Sequence, residues 1–182
     1  VESTNALAAE LARKGAPEGT VVIAESQSGG KGRLGRTWIS PRGNLYLSVI
    51  LRPNIAPHKA PLLTLMGAVA VAVAIRKHTA LQASIKWPND IFLAGKKAGG
   101  LLTEMSSEPD RIRHIVIGIG VDVNMAVDEL PAQIRPSSTT LAAEKGETID
   151  RTALLQAIVN ELDHWYQVFL NSVAAVLKEW QE

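Results

Sequence analysis

From Ser26 through Asn89 the chain carries nine lysines and arginines and not one aspartate or glutamate. Lys31, Arg33 and Arg36 are the densest part of this stretch, set on a backbone with Gly30, Gly32 and Gly35. Backbone N–H groups freed by glycine, together with guanidinium forks, suit carboxylate and phosphate oxygens. A one-signed region of this kind points to an anionic ligand. A solvated basic surface loop is the alternative, and the short pattern alone leaves both open.

The same residues spell G-x-G-x-x-G behind a candidate strand, the literal dinucleotide fingerprint. Two features argue against it. Thr37-Trp38-Ile39-Ser40-Pro41-Arg42-Gly43 should open a phosphate-capping helix, yet Pro41 and Gly43 break it and no helical period is present. The ribose-binding acid about 20 residues on is missing. The pattern G-x-x-x-x-G-K-[ST] is absent as well.

A second constellation is Lys86-Trp87-Pro88-Asn89-Asp90. Pro88 holds Trp87 extended and places Asn89 and Asp90 in a turn. A lysine, an amide and a carboxylate held this closely suit a phosphate–magnesium centre. The alternative is a turn whose Asn and Asp cap backbone groups. Lys97 follows beside Gly99 and Gly100, either facing a ligand carboxylate or exposed on a hairpin tip. Glu104 and Asp122 lie on later strands, facing the same site or at an edge. His58, His78, His114 and His164 have no metal spacing, and Met66, Met105 and Met125 read as core filler.

These groups need a framework, and 182 residues at 46% apolar suit one compact domain. The net charge of +1 selects no partner. The absence of cysteine excludes disulfides, zinc–thiolate sites and a cysteine nucleophile. The longest apolar run, 62–75, contains Thr64 and Gly67, is too short to span a bilayer, and reads as a buried helix; no membrane partner is expected. The start at Val1 inside a cap sequence reads as a fragment of a longer chain.

Ser3-Thr4-Asn5 predicts a cap for a helix that Gly15 and Pro17 close. Residues 20–24 (TVVIA) predict a buried strand. Residues 45–51 alternate, with Leu45, Leu47, Val49 and Leu51 on one face of a half-buried strand. A helix over 57–77 follows. Residues 83–86 and 91–93 flank the Trp-Pro turn, and Gly95-Lys96-Lys97 forms a hairpin tip. Residues 112–121 form a central strand whose glycines permit close backbone approach. Asp150 caps one long helix from Thr152 to about Trp180. The fold class expected is α+β (α/β), with a mixed, mostly antiparallel sheet flanked by helices.

Taken together, Ser3-Thr4-Asn5, Gln27 ahead of the loop 29–38 (GGKGRLGRTW), Lys86-Trp87-Pro88-Asn89-Asp90, and Lys97 followed by Gly100-Leu101-Leu102 resemble the biotin–protein ligase catalytic domain. The match runs from Ser3 to Asn124, and the tail from Ser137 is compatible with it. The resemblance implies a biotin–lipoate ligase catalytic fold, similar to class II aminoacyl-tRNA synthetases, over 1–182. It implies an ATP-dependent ligase that makes biotinoyl-5′-adenylate from biotin and MgATP. The acyl group then passes to a lysine of a biotin carboxyl carrier domain. By resemblance, Ser3, Thr4 and Asn5 line the biotin pocket. Gln27, Lys31, Gly32 and Arg33 contact biotin or the adenylate, Lys97 binds the activated carboxylate, and Gly100 and Leu102 contact biotin through backbone. On the ATP side stand Gly30, Arg36, Trp38 over the adenine, Lys86, Asn89, Asp90 and Asp122. Arg33, Lys86 and Lys97 are the implied catalytic residues, and no metal ligands are assigned.

Two positions depart from the family pattern: Lys31 where arginine is usual, and Asp122 where asparagine is usual. Lysine keeps the charge but loses the bidentate fork. No N-terminal helix-turn-helix and no C-terminal β-barrel is present in these residues, so no DNA binding by this chain is expected. The expected compartment is the cytoplasm, with which the absence of cysteine is compatible. Relatives in the family form dimers through sheet edges, which makes a homodimer an option. A lipoate–protein ligase and a non-catalytic nucleotide- or anion-binding module are the competing readings.

Overall fold

A computed structural model describes residues 1–181. Six strands form one sheet in the order β1-β2-β6-β5-β4-β3: β1 Val21–Ala24, β2 Leu45–Leu51, β3 Ser84–Lys86, β4 Asp90–Leu93, β5 Lys96–Ser107 and β6 Ile112–Val121. Every pairing between these strands is antiparallel. The expected mixed character reduces to one isolated parallel bridge, Lys97 with Ser138.

Three helices cover one face: α2 Pro61–Thr79, α4 Arg151–Asn171 and α5 Val173–Gln181. Helix α2 is apolar all round because it lies between the sheet and α4. Of the helices among the described residues, this alone is long and apolar enough to cross a membrane, and most of it is buried in the core. Gly67 lets it approach the sheet closely, since a Cβ there would sit 2.8 Å from Leu101 Cδ2. Short α3, Leu141–Lys145, follows the end of β6 and is capped by the Thr140 hydroxyl.

Helix α1, Thr4–Arg13, packs on the opposite face. Its partners there are Val22, Ile50 and Val116, while Leu45, Leu47, Val49 and Leu51 face α2. Strand β2 is therefore buried on both sides rather than half-buried. Strand β1 is the reverse case. It sits at the sheet edge, and Ile23 is half exposed rather than buried.

Three further expectations are corrected. The terminal helix breaks at Ser172, whose extended backbone ends α4 and whose hydroxyl accepts from Ala175 N to start α5. The β4–β5 turn is Ala94-Gly95, both at positive φ, so Lys96 and Lys97 already stand on β5. Met105 is exposed, unlike Met66 and Met125. The first half of α1, the central glycines of β6 and the turn between β3 and β4 all meet on the α1 face beside a long loop, residues 28–40.

Candidate active site

The residues that cap α1 also build one end of a cavity. Ser3 Oγ accepts from Ala6 N, fixing the helix start, and Ser3, Thr4 and Asn5 are all buried. Thr4 N donates to Gln27 Oε1 at 2.8 Å, and Gln27 Nε2 donates to Ser40 Oγ at 3.0 Å. Asn5 Oδ1 accepts from the Ser48 hydroxyl at 2.6 Å. Its Nδ2 donates to Leu102 O at 3.2 Å and to Glu104 Oε2 at 2.8 Å. Gly118 makes room for this amide, because a Cβ there would lie 2.0 Å from Asn5 Oδ1.

The glycine-rich loop folds back on itself as a flap. Gln27 bridges Ser40, Lys31 bridges Thr37, Trp38 N donates to Gly30 O, and Gly32 N donates to Arg36 O. Gly30 is required by closeness, since a Cβ would meet Trp38 O at 2.3 Å. At the tip, Arg33–Gly35 form a short turn with Leu34 at φ 57°, its side chain 88% exposed. Lys31, Arg33 and Arg36 all line the cavity. Arg33 also latches the flap to the turn after β3 by donating to Asn89 Oδ1 at 3.1 Å. Asn89 in turn donates to Leu101 O at 2.7 Å, so the latch is anchored on β5.

At the other end, Lys97 Nζ lies 2.7 Å from Asp90 Oδ1 and 5.2 Å from the Trp38 ring centre. Gly100 leaves space beside this ion pair, and Gly120 lets the Trp38 indole lie against bare backbone. The Trp38 indole N–H is buried and has no hydrogen-bond partner among the described residues. That donor sits in the cavity wall.

Asp122 follows β6 directly and is buried. Its Oδ1 accepts from Asn44 Nδ2 at 3.2 Å. Burial pushes its carboxyl up to about 7, against the opposing pull of Lys97. The folded pKa lies above the unfolded one, so the ionised form is penalised in the folded state. The penalty is absent well below the unfolded value of 3.8, grows between there and about 7, and is complete above. Asp122→Asn is therefore expected to raise the thermal midpoint at pH 8 by roughly 5 °C or more, with a smaller gain at pH 5. Melting curves at the two pH values check this; an equal gain at both would show that Asp122 is not ionised against a penalty.

One cavity of about 520 Å³ joins these parts. It is lined by Ser3, Thr4, Asn5, Gln27, Lys31, Gly32, Arg33, Arg36, Trp38, Asn89, Asp90, Lys97, Gly100, Leu102 and Asp122, all named from sequence. Two named residues stand apart. Lys86 does not line it; its ammonium lies 5.0 Å from the Phe92 ring centre on the far hairpin. Gly30 shapes the flap without lining the cavity. Glu104 reaches the site through Asn5 while remaining exposed.

Sequence reasoning missed Asn44, Ser48 and the wall formed by Leu130, Ile134, Ser137 and Ser138. Asn44 is fully buried, and its Oδ1 accepts from Val123 N and Met125 N. A polar residue directly after the positive-φ Gly43 and before an apolar strand was the available signal. Asn124 does not face the cavity; its side chain exchanges two hydrogen bonds with the backbone of Ile149. No cluster of three or more His, Asp or Glu able to hold a metal occurs among the described residues.

The chain belongs to the biotin/lipoate A/B protein ligase family, whose model matches residues 1–122. It is 44% identical over 171 residues to the bifunctional ligase/repressor BirA of Bacillus spizizenii, covering 93% of this chain and 53% of that protein. It is 33% identical over 169 residues to the biotin–acetyl-CoA-carboxylase ligase of Paracoccus denitrificans, covering 90% of this chain and 69% of that one. The biotin protein ligase from Aquifex aeolicus in complex with biotin and ATP superimposes with a TM-score of 0.80 at 31% identity, over 94% of this chain and 69% of that chain. The chain spans about half the length of the BirA relatives it matches. The resemblance to biotin–protein ligases seen in the motifs is thus borne out by the relatives' names and by the fold.

Proposed function

We propose that this chain activates biotin with ATP as biotinoyl-5′-adenylate and transfers the biotinoyl group to a lysine of a biotin carboxyl carrier domain. The observation that carries this reading is the single cavity in which a hydrogen-bonding end (Thr4, Asn5, Gln27) adjoins four cations, Lys31, Arg33, Arg36 and Lys97. A biotin carboxylate oxygen attacks the α-phosphorus, the α–β P–O bond breaks, and pyrophosphate leaves. The acceptor amine then attacks the acyl carbon, AMP leaves, and the amine loses a proton. The first step brings two anions together, so the enzyme's work is positioning and charge neutralisation. The latched flap over the cavity keeps water from the mixed anhydride. No enzyme nucleophile is needed, in keeping with a chain without cysteine.

Magnesium belongs to this chemistry as the partner of the phosphates. Mg²⁺ commonly takes one or two carboxylates and substrate oxygens rather than an all-protein cage. Asp90 and Asp122 are the carboxylates in the cavity wall that would serve it. The reading assigns the reaction to the cytoplasm. The loop cations face the cavity, and the reading gives this chain no DNA-binding role. The open edge at β1 offers a surface for a homodimer.

Biotin is favoured over lipoate because relatives at 44% and 33% identity carry BirA and biotin ligase names. Isothermal titration with each acid decides between them. Biotin binding without lipoate binding is expected, and tight lipoate binding without biotin would overturn the assignment. Lys97→Ala is expected to weaken biotin affinity by roughly 10- to 100-fold, because it removes the cation nearest the cavity's Trp38 wall. Unchanged biotin affinity in the same titration would show that Lys97 serves only to hold Asp90.

A further inference from the structure

A carboxamide in a binding site can face either way, and its surroundings decide whether a ligand meets an acceptor or a donor. Asn5 is buried in the cavity wall and held at both ends of its amide. Its Nδ2 faces two acceptors, Leu102 O at 3.2 Å and Glu104 Oε2 at 2.8 Å, which engage both of its protons. Its Oδ1 therefore faces the Ser48 hydroxyl, 2.6 Å away, and accepts that hydroxyl's single proton. The Ser48 and Thr4 hydroxyl oxygens lie 2.8 Å apart, so the proton between them comes from Thr4. Gln27 Oε1, 3.1 Å from the Thr4 hydroxyl, is already served by Thr4 N at 2.8 Å. The row thus donates in one direction, from Thr4 through Ser48 and Asn5 to Glu104. Thr4 Oγ1 and Asn5 Oδ1 keep acceptor capacity for a ligand. Gln27 Nε2, whose other proton goes to Ser40 Oγ, keeps a donor beside them.

Glu104 is the one charged member of this row. A hydroxyl can turn, whereas an ionised carboxylate only accepts, so the charged end sets the direction for the rest. An exposed glutamate is ordinarily just solvated. Here Asn5 Nδ2 is its one side-chain partner among the described residues, although Arg13, Lys31 and His114 line the same small outer pocket. We propose, resting on the biotin reading of the cavity, that Glu104 is a positioning residue for biotin. By accepting from Asn5 it fixes the direction of the row, so that the N–H groups of the ureido ring meet acceptors at Thr4 and Asn5. Without Glu104 the amide is oriented by Leu102 O alone, through the longer of the two contacts. The Ser48 and Thr4 hydroxyls are then able to turn, and part of the population presents donors to the ring.

The test compares the parent with Glu104→Ala, Glu104→Gln, Asn5→Ala and the double variant Asn5→Ala with Glu104→Ala. Biotin and MgATP affinities come from isothermal titration, kcat and KM from pyrophosphate release, and melting curves confirm folding. Glu104→Ala is expected to weaken biotin binding about tenfold, the scale of one lost hydrogen bond to a charged group. Glu104→Gln, which keeps an acceptor but not the charge, should lose less. The biotin KM should rise by the same factor while kcat and MgATP affinity stay within about threefold of the parent, as for binding lost equally from ground and transition states. In the Asn5→Ala background, removing Glu104 should change biotin affinity by no more than about twofold. A full tenfold loss in that background overturns the proposal, because Glu104 would then not act through Asn5. Unchanged biotin affinity in Glu104→Ala overturns it, and so does a loss shared by MgATP, which marks a general disturbance of the fold. These three results leave the biotin reading standing. Absence of biotin binding by the parent overturns that reading, and the proposal with it.

Discussion

Arg33→Ala is expected to slow biotin-dependent pyrophosphate release by roughly 10²- to 10³-fold, the scale on which a preorganised donor aimed at developing charge acts. Two losses combine in this variant. The cavity loses a guanidinium fork, the donor geometry best matched to carboxylate and phosphate. The flap also loses its hydrogen bond to Asn89, its side-chain latch to the turn after β3. Adenylate that does form should escape or hydrolyse, since the flap no longer stays over it. Arg33→Lys separates the two losses. It retains a charge but not the fork, and its activity should lie between those of the parent and the alanine variant. Release rates and free adenylate are measured together by rapid quench. Parent-like rates with no leakage from Arg33→Ala would show that the latch is only a surface contact.

Gly118→Ala should be nearly as damaging, for a reason of space rather than charge. The added methyl would overlap the Asn5 carboxamide, at 2.0 Å from Oδ1 and 2.7 Å from Cγ. Neither side can yield easily. Gly118 is fixed between Ser48 on β2 and Leu102 on β5 by strand register, and Asn5 is held by Ser48, Leu102 and Glu104. Displacing the amide leaves buried polar groups unpaired, at about 1–3 kcal/mol each. Biotin affinity is expected to fall by roughly 100-fold, and stability by about 2–4 kcal/mol. Adding Asn5→Ala to the variant should restore most of the stability but none of the affinity. Titration and denaturant melts of the single and double variants give both numbers. Parent-like biotin affinity in Gly118→Ala would remove Asn5 from the binding end of the cavity.

Those two residues also show what the sequence could and could not reveal. The glycines of β6 were legible as points of close approach, but not what approaches them. Asn5 over Gly118 and Trp38 over Gly120 come from segments about 113 and 82 positions away in the chain. The α1 cap, the flap cations and the Asn89-Asp90 turn were legible because each is a local signal of residue type and spacing. That Lys86 turns toward Phe92 was not legible, because its direction depends on which face of β3 meets the cavity, and a three-residue strand gives no alternation to settle that. The two-sided burial of β2 depends on α1 docking on its outer face, a tertiary event that a period of two does not encode. The wall at 130–138 has no regular period, so nothing in its spacing announced it. Asp122 and Asn44 acquire meaning only together, 78 residues apart.

The most direct test mixes the chain with biotin, MgATP and a biotin carboxyl carrier domain, and detects acceptor-bound biotin with streptavidin. The expected result is labelling of the carrier lysine that requires both biotin and ATP, accompanied by pyrophosphate release. A folded chain that binds ATP but releases no pyrophosphate in response to biotin, and leaves the carrier unlabelled, would contradict the assignment of the cavity as a biotin-activating site.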